Sequence, residues 1–302
     1  MFELCTGNNG DYQKNQARLV DTSVDITIND PRETQNLNYI IKLFSQAYLP
    51  YKKYPELQKV IRNGNFELRM SASGEMLPYG AIPRILISWI ITEAVQKKSK
   101  TIPLGHNMRQ FIKEIGLDVN GKKYRQVREQ TSYLLSIVFN MVYLDETDEY
   151  IEETRRIMPL ITESKLWWNK KNHDVLFNSE ITLSDYFFEL CQSAIPIDKR
   201  ALYYLKKSPL CLDVYFWLSH KLFYMNKQTM VTWEQLKDQF GSEYKNDKYS
   251  VRNFKNQFKK ALAEIKILYP QINYDVEKRG VLLKPSKTLV KRVSKQVGNI
   301  DN

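Results

Sequence analysis

The sequence predicts a mainly α-helical protein with small β-hairpins (an α+β fold), arranged as two winged-helix domains in tandem. Three observations carry that expectation. One local pattern occurs twice: Asn107 and Gln110 stand where a capping box would put them, ahead of Phe111, Ile112, Ile115 and Gly116. Thr232 and Gln235 repeat it ahead of Leu236, Phe240 and Gly241. After each glycine comes a polar turn and a long helix that is apolar on one side and basic on the other. Each long helix is followed by two short segments separated by turn residues, as a β-hairpin requires. The chain has 302 residues, enough for two domains that each bury a core.

Taken in order, residues 1–36 are polar and rich in Asn, Asp and Thr, which predicts a flexible N-terminal tail with a short strand at Val24–Ile28. Residues 37–62 read as a helix or two with Ile40, Ile41 and Phe44 on one face. Asn63-Gly64 reads as a turn and Phe66–Met70 as a strand. Pro83 suits the first turn of a helix whose buried stripe is Ile82, Leu86, Trp89 and Ile90. The first long helix runs from about Lys122 into Val138. Met141–Leu144 and Arg156–Trp168 then form a hairpin joined by the acidic loop 145–153, completing a winged helix over residues 37–170. Residues 171–208 link the halves, with a polar stretch from Asn172 to Ser179. The second winged helix, in 171–284, comprises a helix near Leu212–Met225, a strand at Thr229–Val231, the helix 232–240, the long helix Tyr249–Leu268 stopped by Pro270, and a hairpin turning at Lys278-Arg279-Gly280. Residues 285–302 make a basic, mobile tail.

The charge is uneven. Of a formal net charge of +11, residues 1–80 carry none and residues 171–302 carry the larger part. A localised positive field is the footprint of a polyanion binder. On the second long helix Val251, Phe254, Phe258, Leu262 and Ile265 cluster on one side. Tyr249, Arg252, Asn253, Asn256 and Lys260 occupy the other. A guanidinium can fork onto guanine and an amide can pair with adenine, so this is a set able to read base edges in double-stranded DNA. Lys248, Lys255 and Lys259 flank it and suit phosphates, as do Lys278 and Arg279 of the hairpin turn. The first long helix buries Tyr124, Val127, Thr131, Leu134 and Val138 and presents Lys122, Arg125, Gln126 and Glu129. Glu129 in that face and the acidic loop argue against a main reading role, leaving backbone contact through Lys122, Lys123, Arg125 and Arg128, or contact with protein.

Other chemistries find no support. Cys5, Cys191 and Cys211 form neither a disulfide framework nor a CxxC metal pair, which points to a reducing cytoplasm. No apolar run is long enough for a membrane span, and no export signal opens the chain. His106, His173 and His220 are too far apart in sequence for the His-x-His pair of a nicking enzyme, and no metal site is expected. Gly116 to Gly121 followed by Lys122-Lys123 lacks the order of a phosphate-binding loop. Neither cofactor nor catalytic residue is expected.

The run Leu77-Pro78-Tyr79-Gly80-Ala81-Ile82-Pro83-Arg84-Ile85-Leu86-Ile87-Ser88-Trp89, then Thr92-Glu93-Ala94 and Ile102-Pro103-Leu104-Gly105, resembles the plasmid-encoded RepA family of replication initiators. The likeness continues through Phe111, Ile115-Gly116-Leu117 and Arg125, covering about residues 75–140 well. The layout is similar to iteron-binding initiators with two winged helices in one chain. That resemblance implies that the C-terminal unit reads repeats in the plasmid origin, while the N-terminal one assists on DNA or forms a homodimer. It also implies opening of an A·T-rich segment, recruitment of the host initiator and replicative helicase, and no chemistry on the DNA. A winged-helix transcriptional repressor is the alternative, and a protein-interaction module a third reading.

Overall fold

The computed structural model describes residues 9–105, 107–147, 149–166 and 179–291. The first element departs from expectation. Helix α1 (Asn9–Ile28) replaces the loose tail and the strand at Val24–Ile28, while residues 1–8 lie outside the described residues. Tertiary contacts hold it: Ser23 Oγ donates to the Ile267 carbonyl at 2.6 Å, and the Arg200 guanidinium donates to the carbonyls of Asp25 and Asn29, both at 2.8 Å. Residues 37–62 are likewise corrected, from helices to strand β1 (Leu37–Ile40), the single turn α2 (Leu43–Gln46) and strand β2 (Gln58–Asn63). Ile40, Ile41 and Phe44 are buried as expected. The Asn63-Gly64 turn, with Gly64 in the left-handed region, leads into β3 (Phe66–Ala72), which buries Phe66, Leu68 and Met70 on alternate positions.

Helix α3 (Ala81–Lys97) is buried nearly all round from Pro83 to Thr92, as a helix apolar on every face must be. Strand β4 (Thr101–Pro103) and helix α4 (Met108–Glu114) follow, the latter capped by the Asn107 side chain accepting from the Gln110 N–H at 3.1 Å. Helix α5 (Gly121–Leu135) is capped by Asn120 and ends before Val138, which belongs instead to strand β5 (Ile137–Glu146). Strand β5 forms a hairpin with β6 (Ile151–Pro159), but these strands take in Asp145, Glu146, Glu152 and Glu153 of the expected acidic loop, and the hairpin is not the flank of α4 and α5 that the sequence suggests. It joins β3, giving a four-stranded antiparallel sheet in the order β2-β3-β5-β6. The strand that pairs with β4 is β8 (Glu180–Leu183), which in turn pairs with β7 (Ile161–Lys165), in the order β4-β8-β7. Trp167, Trp168, His106, His173 and most of the polar stretch from Asn172 lie outside the described residues.

The link expected over 171–208 is structured from Glu180 onward. After β8 come α6 (Asp185–Cys191), β9 (Ile195–Asp198) and α7 (Lys199–Leu205). Strand β9 pairs antiparallel with β1, Leu37 opposite Asp198 and Ile40 opposite Ile195, so the chain returns to the first half. The remaining elements follow the predicted order: α8 (Pro209–Tyr224), β10 (Thr229–Thr232), α9 (Trp233–Phe240), α10 (Lys248–Leu268), β11 (Asn273–Val276) and β12 (Gly280–Lys284). Their sheet runs β10-β12-β11, the same pattern as β4-β8-β7. Gly280 is required there, because a Cβ would lie 2.1 Å from the Val231 carbonyl oxygen. Past β12 the chain still packs, with Val290 buried. Residues 292–302 of the expected basic tail lie outside the described residues.

Helices α3 and α8 form the centre, and a buried ion pair joins them. Arg84 Nε and Nη2 donate to the two carboxylate oxygens of Asp213 at 2.8 and 2.7 Å, while Nη1 and Nη2 donate to the carbonyls of Pro50, Gly80 and Leu49. Each guanidinium N–H thus has an acceptor, the condition under which a charge can be kept out of water. Burial works against the Arg84 charge, yet Asp213 beside it prevails and the guanidinium titrates above its ordinary value.

Candidate nucleic-acid interface

The α9 to α10 unit is set by local chemistry. Thr232 and Gln235 form the full reciprocal capping box, and the Asp247 carboxylate caps α10 by accepting from the Ser250 N–H at 2.9 Å and its hydroxyl at 2.7 Å. Phe254, Phe258, Leu262 and Ile265 are buried on α10 as the period predicts, whereas Val251 is half-buried. The C-terminal half of α10 packs against α1, so its N-terminal half is the part left open.

On that open half Tyr249 is 80% exposed, and Arg252, Asn253 and Asn256 are exposed beside it on one stripe. Lys260 ends the stripe and faces an acid. Burial pushes the Glu264 carboxyl up, with Lys207 and Lys260 among the groups pulling the other way. Lys248 is exposed at the start of the helix. Lys255 and Lys259 both lie 5.5 Å from the centre of the Trp233 ring, an arrangement that holds two ammonium groups along one flank. Trp233 is also the anchor of the hairpin. Its indole N–H donates to the Glu277 carbonyl at 3.1 Å and its backbone N–H to the Arg279 carbonyl at 2.9 Å. The exposed Lys278 and Arg279 therefore sit at the turn that Trp233 fixes, beside Lys255 and Lys259. Among the described residues, none of Lys248, Arg252, Lys255, Lys259, Lys260, Lys278 and Arg279 is in a salt bridge.

The turn between α9 and α10 is pinned by the first half. The Tyr48 hydroxyl lies 2.6 Å from the Ser242 hydroxyl, the Tyr51 N–H donates to Glu243 at 3.0 Å, and Lys59 Nζ donates to Glu243 at 2.7 Å. Burial lowers the Lys59 ammonium from its ordinary value, opposed by that carboxylate.

The structure does not bring the α5 cations into this set. Helix α5 packs on α3 and α4, whereas α10 packs on α8, α9 and α1. Lys122, Arg125 and Arg128 are exposed, and Lys123 is half-buried with its ammonium bonded to Gln126 at 3.1 Å. Exposed Glu129 interrupts the face, and with Glu75 it lines a cleft shared by Arg125 and Arg128. Tyr124 is only partly buried. The sequence reading missed Trp233 and the pins on the turn. A tryptophan at the first helical position, with two lysines spaced i, i+4 on the next helix, is the one signal that points to such a platform.

Among the described residues, no group of His, Cys, Asp and Glu could hold a metal ion, and no helix is long and apolar enough to cross a membrane. Residues 77–235, more than half of the chain, match the family described as plasmid-encoded RepA protein. The chain belongs to that family of plasmid replication initiators. No curated protein matches it. Among solved structures, domains 2 and 3 of RctB in selenomethionine form superpose with a TM-score of 0.52 at 10% identity, covering 80% of this chain and 96% of that one. A second structure of RctB domains 2 and 3 gives 0.46 at 11% identity with the same coverage. At such identity the first likeness speaks for the fold alone.

Proposed function

We propose that this family member initiates plasmid replication by binding tandem repeats of double-stranded origin DNA, with the N-terminal half of α10 in the major groove. Arg252, Asn253 and Asn256 read base edges there, and Tyr249 and Lys260 extend the same stripe. Lys248, Lys255, Lys259, Lys278 and Arg279 hold phosphates on either side. The observation that carries this reading is the set of cations around Trp233 that are in no salt bridge among the described residues, half-buried Lys255 with exposed Lys259, Lys278 and Arg279, next to an exposed arginine and amide stripe.

Each half is read as a winged helix. In support, a helix, a strand and two helices precede a hairpin in both, and the strand orders β4-β8-β7 and β10-β12-β11 correspond. The first half touches DNA only by backbone contacts from Lys122, Lys123, Arg125 and Arg128, and it pairs with a second copy. Binding of adjacent repeats bends the origin, opens a neighbouring A·T-rich segment and recruits the host initiator and replicative helicase in the cytoplasm, with no chemistry on the DNA.

Footprinting the full chain on plasmid DNA spanning its own gene tests the proposal. Protection of tandem direct repeats is expected. A single palindrome over a promoter would favour a repressor instead.

A further inference from the structure

The two halves of the chain meet around a cleft of about 450 Å³, the size of a small-ligand site. One wall comes from the first half, with Lys42 just ahead of α2 and Asn63 at the end of β2. The other is the C-terminal end of α8, with His220, Lys221 and Tyr224, continued by Asn226 and Lys227 ahead of β10. The walls are tied together. The Gln239 side chain of α9 donates to the Ser45 carbonyl at 2.8 Å, and within the first wall the Asn63 amide donates to the Gln46 carbonyl at 3.3 Å.

Charge and packing both leave this cleft incomplete. Lys42, Lys221 and Lys227 line it, no Asp or Glu does, and among the described residues none of the three lysines is in a salt bridge. Burial first, then Lys42 and Lys221, lowers the His220 imidazole to about 4, so the ring among them is neutral at pH 7 and the charges acting on it are cations. At the base lies Trp217, 1% exposed, whose indole N–H has no acceptor among the described residues. A buried donor without a partner is rare in a native interior and calls for an acceptor. Tyr224 is 58% exposed, with its ring 4.9 Å from that of His220 between centres, so an aromatic surface borders the positive field.

We infer that the cleft binds a free nucleoside di- or triphosphate, with its phosphates among Lys42, Lys221 and Lys227 and its base against Tyr224. Ammonium groups bond phosphate oxygens as point charges, and every base has a face that stacks on an aromatic ring, so this set selects a nucleotide without choosing the base. The site is separate from the DNA surface proposed for α10, since none of its residues belongs to that stripe or its flanks. Its walls come from both halves of the chain, so a bound nucleotide ties one half to the other and stabilises the folded state.

Calorimetric titration of the full chain, without DNA, with ADP, pyrophosphate and adenosine tests the inference. ADP is expected to bind with a Kd below about 1 mM, pyrophosphate more weakly, and adenosine not measurably. Lys42→Ala and Lys221→Ala are each expected to weaken ADP binding by about tenfold. Tyr224→Ala is expected to weaken ADP while leaving pyrophosphate unchanged. All three side chains are exposed, circular dichroism checks that each variant folds, and Lys53→Ala, outside the cleft, is expected to bind ADP as wild type does. Absence of binding by both ADP and pyrophosphate, or equal binding by wild type and both lysine variants, would overturn the inference. Lysine variants that lose affinity for duplex DNA in a chain that binds no ADP would make the cleft a DNA backbone contact instead. Pyrophosphate binding as tightly as ADP, with no effect of Tyr224→Ala, would overturn the assignment to a nucleotide.

Discussion

The unit α4 with α5 and the unit α9 with α10 share a plan and differ in what they present. Each opens on a side-chain cap, Asn107 or Thr232, and each turn is pinned by residues from the other half of the chain. The Tyr203 hydroxyl donates to the Glu114 carbonyl, and Lys206 donates to the Gly116 carbonyl at 2.6 Å. Tyr48, Tyr51 and Lys59 do the same service at Ser242 and Glu243. The faces then diverge: Glu129 and Glu75 stand among the arginines of α5, whereas the open half of α10 has no acid on its stripe between Tyr249 and Asn256. Similar scaffolding with different surface charge is the ground for proposing that α10 reads DNA and α5 serves contact. The common frame places both; the side chains decide the task.

The largest effect is expected from breaking that frame. Arg84→Met strands the Asp213 carboxylate in the core and is predicted to cost about 3–5 kcal/mol in urea denaturation. Both helix units should loosen together, and selective loss of one would break the idea of a shared frame. The caps come next. Thr232→Ala removes the hydroxyl's bond from the Gln235 N–H and leaves the Gln235 side chain on the backbone N–H of residue 232, and Asn107→Ala removes the single bond seen there, so a loss of about 1 kcal/mol is expected from each. Thermal melts of the two variants measure both. Lys255→Ala and Lys259→Ala should each weaken binding to all DNA sequences alike and reduce the salt slope by about 1, while Lys122→Ala should change it less.

An effect confined to acid pH concerns the frame again. Burial, with Lys42 and Lys221 nearby, lowers the His220 imidazole to about 4 from its ordinary 6.5. Between those values the unfolded chain binds more protons than the folded one, so stability falls as the pH drops from about 6.5 towards about 4. Melting temperatures across that window should show this component in the wild type and lack it in His220→Gln.

Much of α10 was legible from sequence, because helical period and capping are local. Phe254, Phe258, Leu262 and Ile265 are spaced to face one way, and Arg252, Asn253 and Asn256 the other. What stayed hidden depends on partners distant in the chain. Met141–Leu144 and Arg156–Trp168 read as a hairpin, but nothing local says that β5 will pair with β3 instead of β4. Leu37–Ile40 is a strand only because Ile195–Asp198 lies beside it. Helix α1 has a weak pattern of its own and is held by Arg200 and by the C-terminal end of α10. Trp233 reads as an ordinary apolar residue at a helix start until the hairpin and two lysines are seen around it.

The most direct test of the division between the helices compares Arg252→Ala with Arg125→Ala on a footprinted origin duplex and on a scrambled duplex of equal length. Arg252→Ala is predicted to lose about 1–3 kcal/mol of discrimination between the two duplexes. Arg125→Ala is predicted to leave that ratio unchanged. Retained discrimination in Arg252→Ala with loss in Arg125→Ala would contradict the assignment of reading to α10.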